Sequence, residues 1–180
     1  MRTSTAIRAA LLASLLGIPA LRGQSFGPTG STTLSVTVGA EASISVTNST
    51  TTLTGTAAFA NYTGTTNLLY KIRTSPGSGT GAITAQVTTD FSPAGGPSVA
   101  SPPTAGDALT YTCTVAAPGT ACTGTQTAST TVSTPVAAFG AGAGTASAGN
   151  AASLAWILTN DAVYQPGTYS ATVTFTISAT

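Results

Sequence analysis

Histidine is missing from this 180-residue chain, and lysine, arginine, aspartate and glutamate together make up only 5% of it, where an ordinary soluble domain carries about 25%. Without histidine, neither a Ser-His-Asp nor a Cys-His triad can be assembled, nor a histidine-ligated zinc or iron site. Five basic residues are too few and too scattered to displace counterions from phosphates, so nucleic-acid binding is excluded. No D-x-D-x-D run gathers the carboxylates of a calcium loop, and Asn160-Asp161 reads as a solvated turn. A glycosidase needs two carboxylates flanking one bond. Glu41, Asp90, Asp107 and Asp161 instead fall at corners and loop borders, where a carboxylate caps backbone or faces water. An enzyme is therefore not expected, and no catalytic, cofactor or metal residue is assigned.

Long hydrophobic runs are missing as well. Arg2 and Arg8 form a basic start, Ala9 to Leu21 is a short apolar stretch, and Pro19, Ala20 and Gly23 supply the break and small residues that a signal peptidase needs. A bilayer-spanning helix needs about 20 apolar residues, and this run is shorter and is followed at once by Arg22. Residues 1–23 thus read as a helical secretory signal peptide, cut after Ala20 or Gly23, with Ser25 a further option. No cysteine near the cut offers a lipoprotein anchor, and the end TFTISAT has neither an apolar tail nor a basic cluster. The expected location is secreted, extracellular or at the cell surface, with no stable membrane insertion after cleavage. What remains is Lys71 and Arg73 against Glu41, Asp90, Asp107 and Asp161, a net charge of −2. Solubility must then come from hydroxyls and amides.

What is abundant is threonine, serine and apolar residues alternating with the period of two that separates the faces of a sheet. Leu34, Val36 and Val38 alternate with hydroxyls, as do Ala42, Ile44 and Val46 beyond Gly39, so this stretch reads as two strands or a bulged one. Further strands are expected at 68–74, 82–89, 109–116, 123–133, 153–159 and 168–178. Between them lie loops rich in Gly and Pro at 76–81, 92–107, 140–150 and 160–167. The Gly/Ala stretch 137–152 reads as a surface loop. About eight such strands predict an all-β, antiparallel two-sheet sandwich of the immunoglobulin-like or pilin-like kind, with a closed barrel as the lesser alternative. The expected organisation is a leader over 1–23, a flexible amino-terminal arm over 24–33 and one sandwich domain over 34–180.

Cys113 and Cys122 bracket Pro118-Gly119, a turn dipeptide, which predicts a disulfide across one hairpin. Metal sites bring cysteines closer together or recruit histidine. Lys71 and Arg73 share one face of a strand opposite Tyr70 and Ile72, and charge of this kind commonly guards an edge strand. Among eleven aromatics, Trp156 alternates with Leu154 and Leu158, and Tyr169 with Ala171, Val173, Phe175 and Ile177, which predicts core positions. Tyr62 and Tyr164 lie in looser segments and are the candidate ligand-facing rings. Asn48 and Asn61 open N-x-T/S sequons, which matter only where glycosylation machinery exists.

The stretch from Leu154 to Asp161, followed by Gln165-Pro-Gly-Thr-Tyr and alternating Thr and apolar residues, resembles the closing hairpin of bacterial secreted sandwich families. The order Trp-x-Leu, turn, Gly-x-Tyr is similar to WxL-type surface domains, and the Gly-x-Tyr strand is similar to spore-coat-U and fimbrial-type domains. The resemblance covers the last fifth of the chain and implies structural roles for Trp156, Gly167 and Tyr169, the last with its hydroxyl bonded to nearby backbone like a tyrosine corner. WxL domains carry two such motifs and bind wall polymer. Only Trp156 occurs here, so wall binding is not carried over. Pilins typically lack their final strand, whereas Val173, Phe175 and Ile177 form a complete one. Gln24 to Thr33 is a loose arm ahead of an alternating strand, which leaves strand addition to a neighbour available. The function expected is a non-enzymatic structural or adhesive protein of a bacterial surface, self-assembling through sheet edges or the arm. The alternative is a module binding a cell-surface glycan or protein through loops carrying Tyr62 and Tyr164.

Overall fold

The structure is a computed structural model that describes residues 29–180, so the leader expected over 1–23, its expected cleavage sites and the start of the expected arm lie outside the described residues. Two units meet between Val36 and Thr37, three residues beyond the expected start of the sandwich at 34. In the first unit, residues 29–36 form no regular structure and are exposed. The second is all-β, with nine strands: β1 (Glu41–Val46), β2 (Tyr62–Arg73), β3 (Gly81–Ser92), β4 (Leu109–Val115), β5 (Thr120–Ala121), β6 (Gln126–Thr127), β7 (Thr134–Phe139), β8 (Asn150–Leu158) and β9 (Ser170–Ala179). They form two antiparallel sheets, in the orders β1-β2-β8-β4-β6 and β5-β7-β3-β9, packed face to face as the composition predicts.

Alternation decides which face goes inward. On β2, Leu68, Tyr70 and Ile72 are buried while Asn67, Leu69, Lys71 and Arg73 are exposed. β8 buries Ala152, Leu154, Trp156 and Leu158 in the same rhythm, and β3 contributes Ile83, Ala85 and Val87. The rings carry polar ends, and these are satisfied. Trp156 Nε1 donates to Thr66 Oγ1 at 2.8 Å, Tyr111 donates to the Pro135 carbonyl at 3.0 Å, and Tyr70 donates to the Ala116 carbonyl. Burial pushes the Tyr70 and Tyr111 phenols above their ordinary range, so both remain protonated donors.

Several local expectations are corrected. The stretch 34–38 is not a strand, because β1 pairs with β2 only as far as Glu41 opposite Arg73, the last residue of β2. No β2 residue is left to pair with the chain ahead of Glu41. Lys71 and Arg73 do not sit on an edge either, since β2 lies between β1 and β8. Arg73 instead reaches Glu41 at 3.1 Å, an exposed pair of small energetic weight.

The stretch 123–133 yields only the two residues of β6. Beyond Ala128 the chain crosses to the other sheet, where the Ser129 carbonyl accepts from Val87 N–H at 3.0 Å. β7 lies partly within the stretch expected to be loop, which is confined to 140–149. Its Pro135 sits opposite Thr84, where the β3 ladder shifts register, and a residue without an N–H is tolerated at such a place. β2 begins six residues earlier than expected, and Gly64 permits this. A Cβ there would lie 2.6 Å from the Thr52 carbonyl oxygen, in the segment that folds over the strand.

The disulfide Cys113–Cys122 is present, but not across a hairpin of one sheet. β4 belongs to the first sheet and β5 to the second, so Pro118-Gly119 carries the chain over the end of the core and the bond ties sheet to sheet. Gly119 is required there, because a Cβ would lie 2.6 Å from Val115 and 2.9 Å from Phe139. Closing this short loop stabilises the fold by about 2–3 kcal/mol on the chain-entropy relation. A Cys113→Ser/Cys122→Ser variant should lose about that much unfolding free energy in urea titration while keeping its strand content by circular dichroism.

Candidate functional site

The two candidate ligand-facing rings come together at one end of the sandwich. Tyr62 opens β2, and Tyr164 lies in the loop between β8 and β9, near enough for Tyr62 to act on it electrostatically. Both rings are half-buried, and Tyr62 packs against the core. The Tyr164 hydroxyl donates to Asp107 Oδ2 at 2.9 Å, and Asp107 is itself buried. Burial first, then this bond and the charges of Asp107 and Asp161, push the Tyr164 phenol far above its ordinary range. Asp161 is held below the usual carboxylate range, chiefly by the Thr104 hydroxyl and then by Val163 N–H at 2.9 Å.

This cluster fastens the loop 92–107 to the loop 160–167. Tyr164 stays protonated and donating, and the carboxylates accept bonds that hold backbone and side chains in place. Among the described residues, His, Cys, Asp and Glu nowhere form a group of three able to hold a metal ion. Sequence reasoning missed the Asp107–Tyr164 bond, which joins residues 57 positions apart with no local signal.

Asp90 organises the same long loop from its other end. Its carboxylate accepts from Phe91 N–H at 2.8 Å, Val99 N–H at 2.8 Å, Ala100 N–H at 3.0 Å and the Ser98 hydroxyl at 2.7 Å. Burial opposes the charge, but these four donors outweigh it and hold the carboxyl below its ordinary value. A hollow of about 410 Å³ lies beside this loop, lined by Phe91, Pro97, Pro103, Val163 and Gln165 among others. Neither Tyr62 nor Tyr164 lines it.

The expected closing hairpin does not form, because β8 belongs to the first sheet and β9 to the second, and Tyr169, expected in the core, is half-buried in the segment that joins them. Trp156 is buried, and its partner Thr66 lies 2.6 Å from Thr51 Oγ1, which continues the bond outward. The Tyr169 hydroxyl donates to the Gln165 carbonyl at 2.7 Å, four residues upstream. Its ring lies on Gly96, where any Cβ would come within 2.4 Å. The Asn48 side chain is spent on structure, donating to Thr51 Oγ1 at 2.9 Å and accepting from Asn67 N–H at 2.8 Å. Asn61 is exposed, with its Oδ1 3.4 Å from Asn160 N.

Tyr164→Phe should cost about 1–3 kcal/mol in urea unfolding, because it removes the hydroxyl that Asp107 accepts from. A ring serving only a ligand would leave the midpoint unmoved. Asp90, with its folded pKa lowered, contributes stability that is present above the ordinary value of 3.8 and is lost as pH falls through the folded value. Asp90→Asn should lower the midpoint at pH 7 and flatten its fall below about pH 4, read from urea titrations across that range.

No protein-family model, curated protein or solved structure matches this chain, so its function is read from the chemistry of its own surfaces.

Proposed function

We propose that this is a non-enzymatic structural or adhesive protein of a bacterial exterior, exported by its leader and assembling through strand contacts. One observation carries the reading: one lateral side of the sandwich is tied covalently from sheet to sheet, and the other is held by packing of β1 against β9 alone. On the tied side, the disulfide ties β4 to β5. On the other side, β1 and β9 end their sheets and pack against each other, and Ala42, Ile44, Val173, Phe175 and Ile177 are only half-buried. Elsewhere the surface is clothed in threonine and serine, as on β9, where Thr172, Thr174 and Thr176 point outward. A hydroxyl-rich surface of few charges, with a ten-residue β9 edge that holds neither charge nor proline, suits a subunit that stays soluble until it meets a neighbouring edge.

The alternative, glycan binding through Tyr62 and Tyr164, draws less support, since both rings are half-buried and the Tyr164 hydroxyl is held by Asp107. Electron microscopy and mass spectrometry of the native protein from culture surface and supernatant test the reading. The expected result is ordered filaments or sheets built from a chain beginning near Gln24. Dispersed monomers of the same processed chain, binding nothing on their own cells, would overturn it. Saturable glycan-array binding by such monomers, lost in Tyr62→Ala, would move the function to the alternative.

A further inference from the structure

Lys71 and Arg73 are the only basic residues after Arg22, and nothing in the fold accounts for Lys71. β2 lies between β1 and β8, so this charge guards no edge. The one ion pair among the described residues goes to its neighbour Arg73. Both side chains are exposed on one face of β2, about 7 Å apart along the strand. Opposite them on β1 stand Ser43 and Glu41. The segment 144–147 meets the end of β2 through a bridge between Gly144 and Arg73. Together these elements enclose a hollow of about 340 Å³, lined by Lys71, Arg73, Ser43, Thr145 and Ser147 among others.

The wall opposite β1 is held in place. Thr145 Oγ1 accepts from Ile72 N–H at 3.1 Å, Thr145 N–H donates to the Ile72 carbonyl at 3.1 Å, and Ala146 N–H donates to Asn150 Oδ1 at 3.2 Å. A wall fixed in this way needs little further ordering when a ligand enters. The two cations differ in what they have left to give. Arg73 already spends its Nε on the Gly39 carbonyl at 2.8 Å and an Nη2 hydrogen on Glu41 at 3.1 Å. Lys71 forms no ion pair among the described residues, so its ammonium donors are open to a ligand.

Charge is divided between the two ends of the sandwich. Lys71 and Arg73 against Glu41 leave one net positive charge at the hollow. Asp107 and Asp161 lie with Tyr164 near Tyr62, at the opposite end of β2, and Asp90 pins the same long loop that ends at Asp107. About 36 Å of extended strand separates Tyr62 from Arg73, several times the screening length of about 8 Å at physiological salt. An anion at the hollow therefore meets the local positive charge and not the acidic end. The hollow presents hydroxyls and no exposed aromatic or large aliphatic side chain, since Ile72 in its wall is buried. A peptide is gripped through anchors of that missing kind, and a nucleic acid needs more cations than two.

We infer that this hollow binds the anionic group of an acidic saccharide, with Lys71 as the charge that selects it and Ser43 and Ser147 as partners for the sugar hydroxyls. The site is complete in one copy of the chain, so it goes beyond strand assembly and stands or falls apart from it.

The test is calorimetric titration of the whole chain recovered from culture, with Cys113–Cys122 oxidised, using oligogalacturonate, dextran sulfate and uncharged dextran as probes. Saturable binding of an acidic probe and none of uncharged dextran is expected, and the acidic probe that binds tells whether a carboxylate or a sulfate ester is held. Lys71→Gln should weaken that binding at least about tenfold, and Lys71→Arg should keep it within about threefold. Glu41→Gln, which frees Arg73 from its competing carboxylate, should tighten it at least about twofold. These side chains are exposed, so the unfolding midpoints should not move. Tyr62→Ala should bind as the wild type does, which separates this site from the rings at the opposite end. Unchanged binding by Lys71→Gln, equal binding of uncharged dextran, or no binding of either acidic probe would overturn the inference. None of these outcomes bears on strand assembly, which microscopy tests separately.

Discussion

Trp156 packs against Tyr111 with ring centroids 4.9 Å apart, and its indole N–H donates to a buried threonine. The rest of the sandwich depends on contacts of this kind. A chain with so few charges cannot use ion-pair networks, and the one ion pair among the described residues is an exposed one. Cohesion comes from apolar side chains buried between two sheets, each worth about 1.5–3 kcal/mol when fully covered. Aromatic rings supply much of that area, but each phenol or indole brings a polar group that is costly to bury alone. Threonines and carbonyls on adjoining strands meet that need, and no buried side-chain nitrogen or oxygen among the described residues is left without a partner.

Once that layer is in place, the sides of the sandwich decide its behaviour. On one side the chain crosses between sheets three times, over Pro118-Gly119, between β5 and β6, and again after Ala128, and the Cys113–Cys122 bond holds the first crossing. Those crossings leave only two-residue strands at that border, so little free ladder remains. The other side is held by packing, with β1 lying against β9. β9 has a ladder partner on one side only, and the apolar rows facing that border stay half-buried. β2 ends at Arg73, so the alternating residues before Glu41 have no β2 residue to pair with.

The sandwich was legible in the sequence because period-two alternation survives wherever one face is buried. Leu68 to Ile72 and Leu154 to Leu158 show it plainly. Where tertiary contacts override local pattern, reading failed. Gly64 looks like a turn residue but lies mid-strand, because a neighbouring segment needs the space of its missing Cβ. Pro135 argues against a strand but sits where the ladder shifts register. Leu34 to Val38 show alternation as good as any, yet alternation reports only a fitness to pair and not the presence of a partner. At the loop end, the carboxylates at loop borders were legible as caps, as Asp90 bears out with its four donors. The bond from Tyr164 to Asp107 was not, since only the folded chain brings those loops together.

The scarcity of charge also removes the commonest protection against edge-to-edge association. Proteins usually blunt a long edge with lysine, an inward charge or proline, and β9 has none of these over ten residues. Counted from residue 24 onward, a net charge of −2 offers little long-range repulsion between copies. Threonine and serine hydroxyls keep much of the outer faces hydrated, alongside single exposed apolar side chains such as Leu69 and Ile157. The ladder-free side of β9 and the half-covered apolar rows of both sheets coincide at the border where β1 and β9 end their sheets.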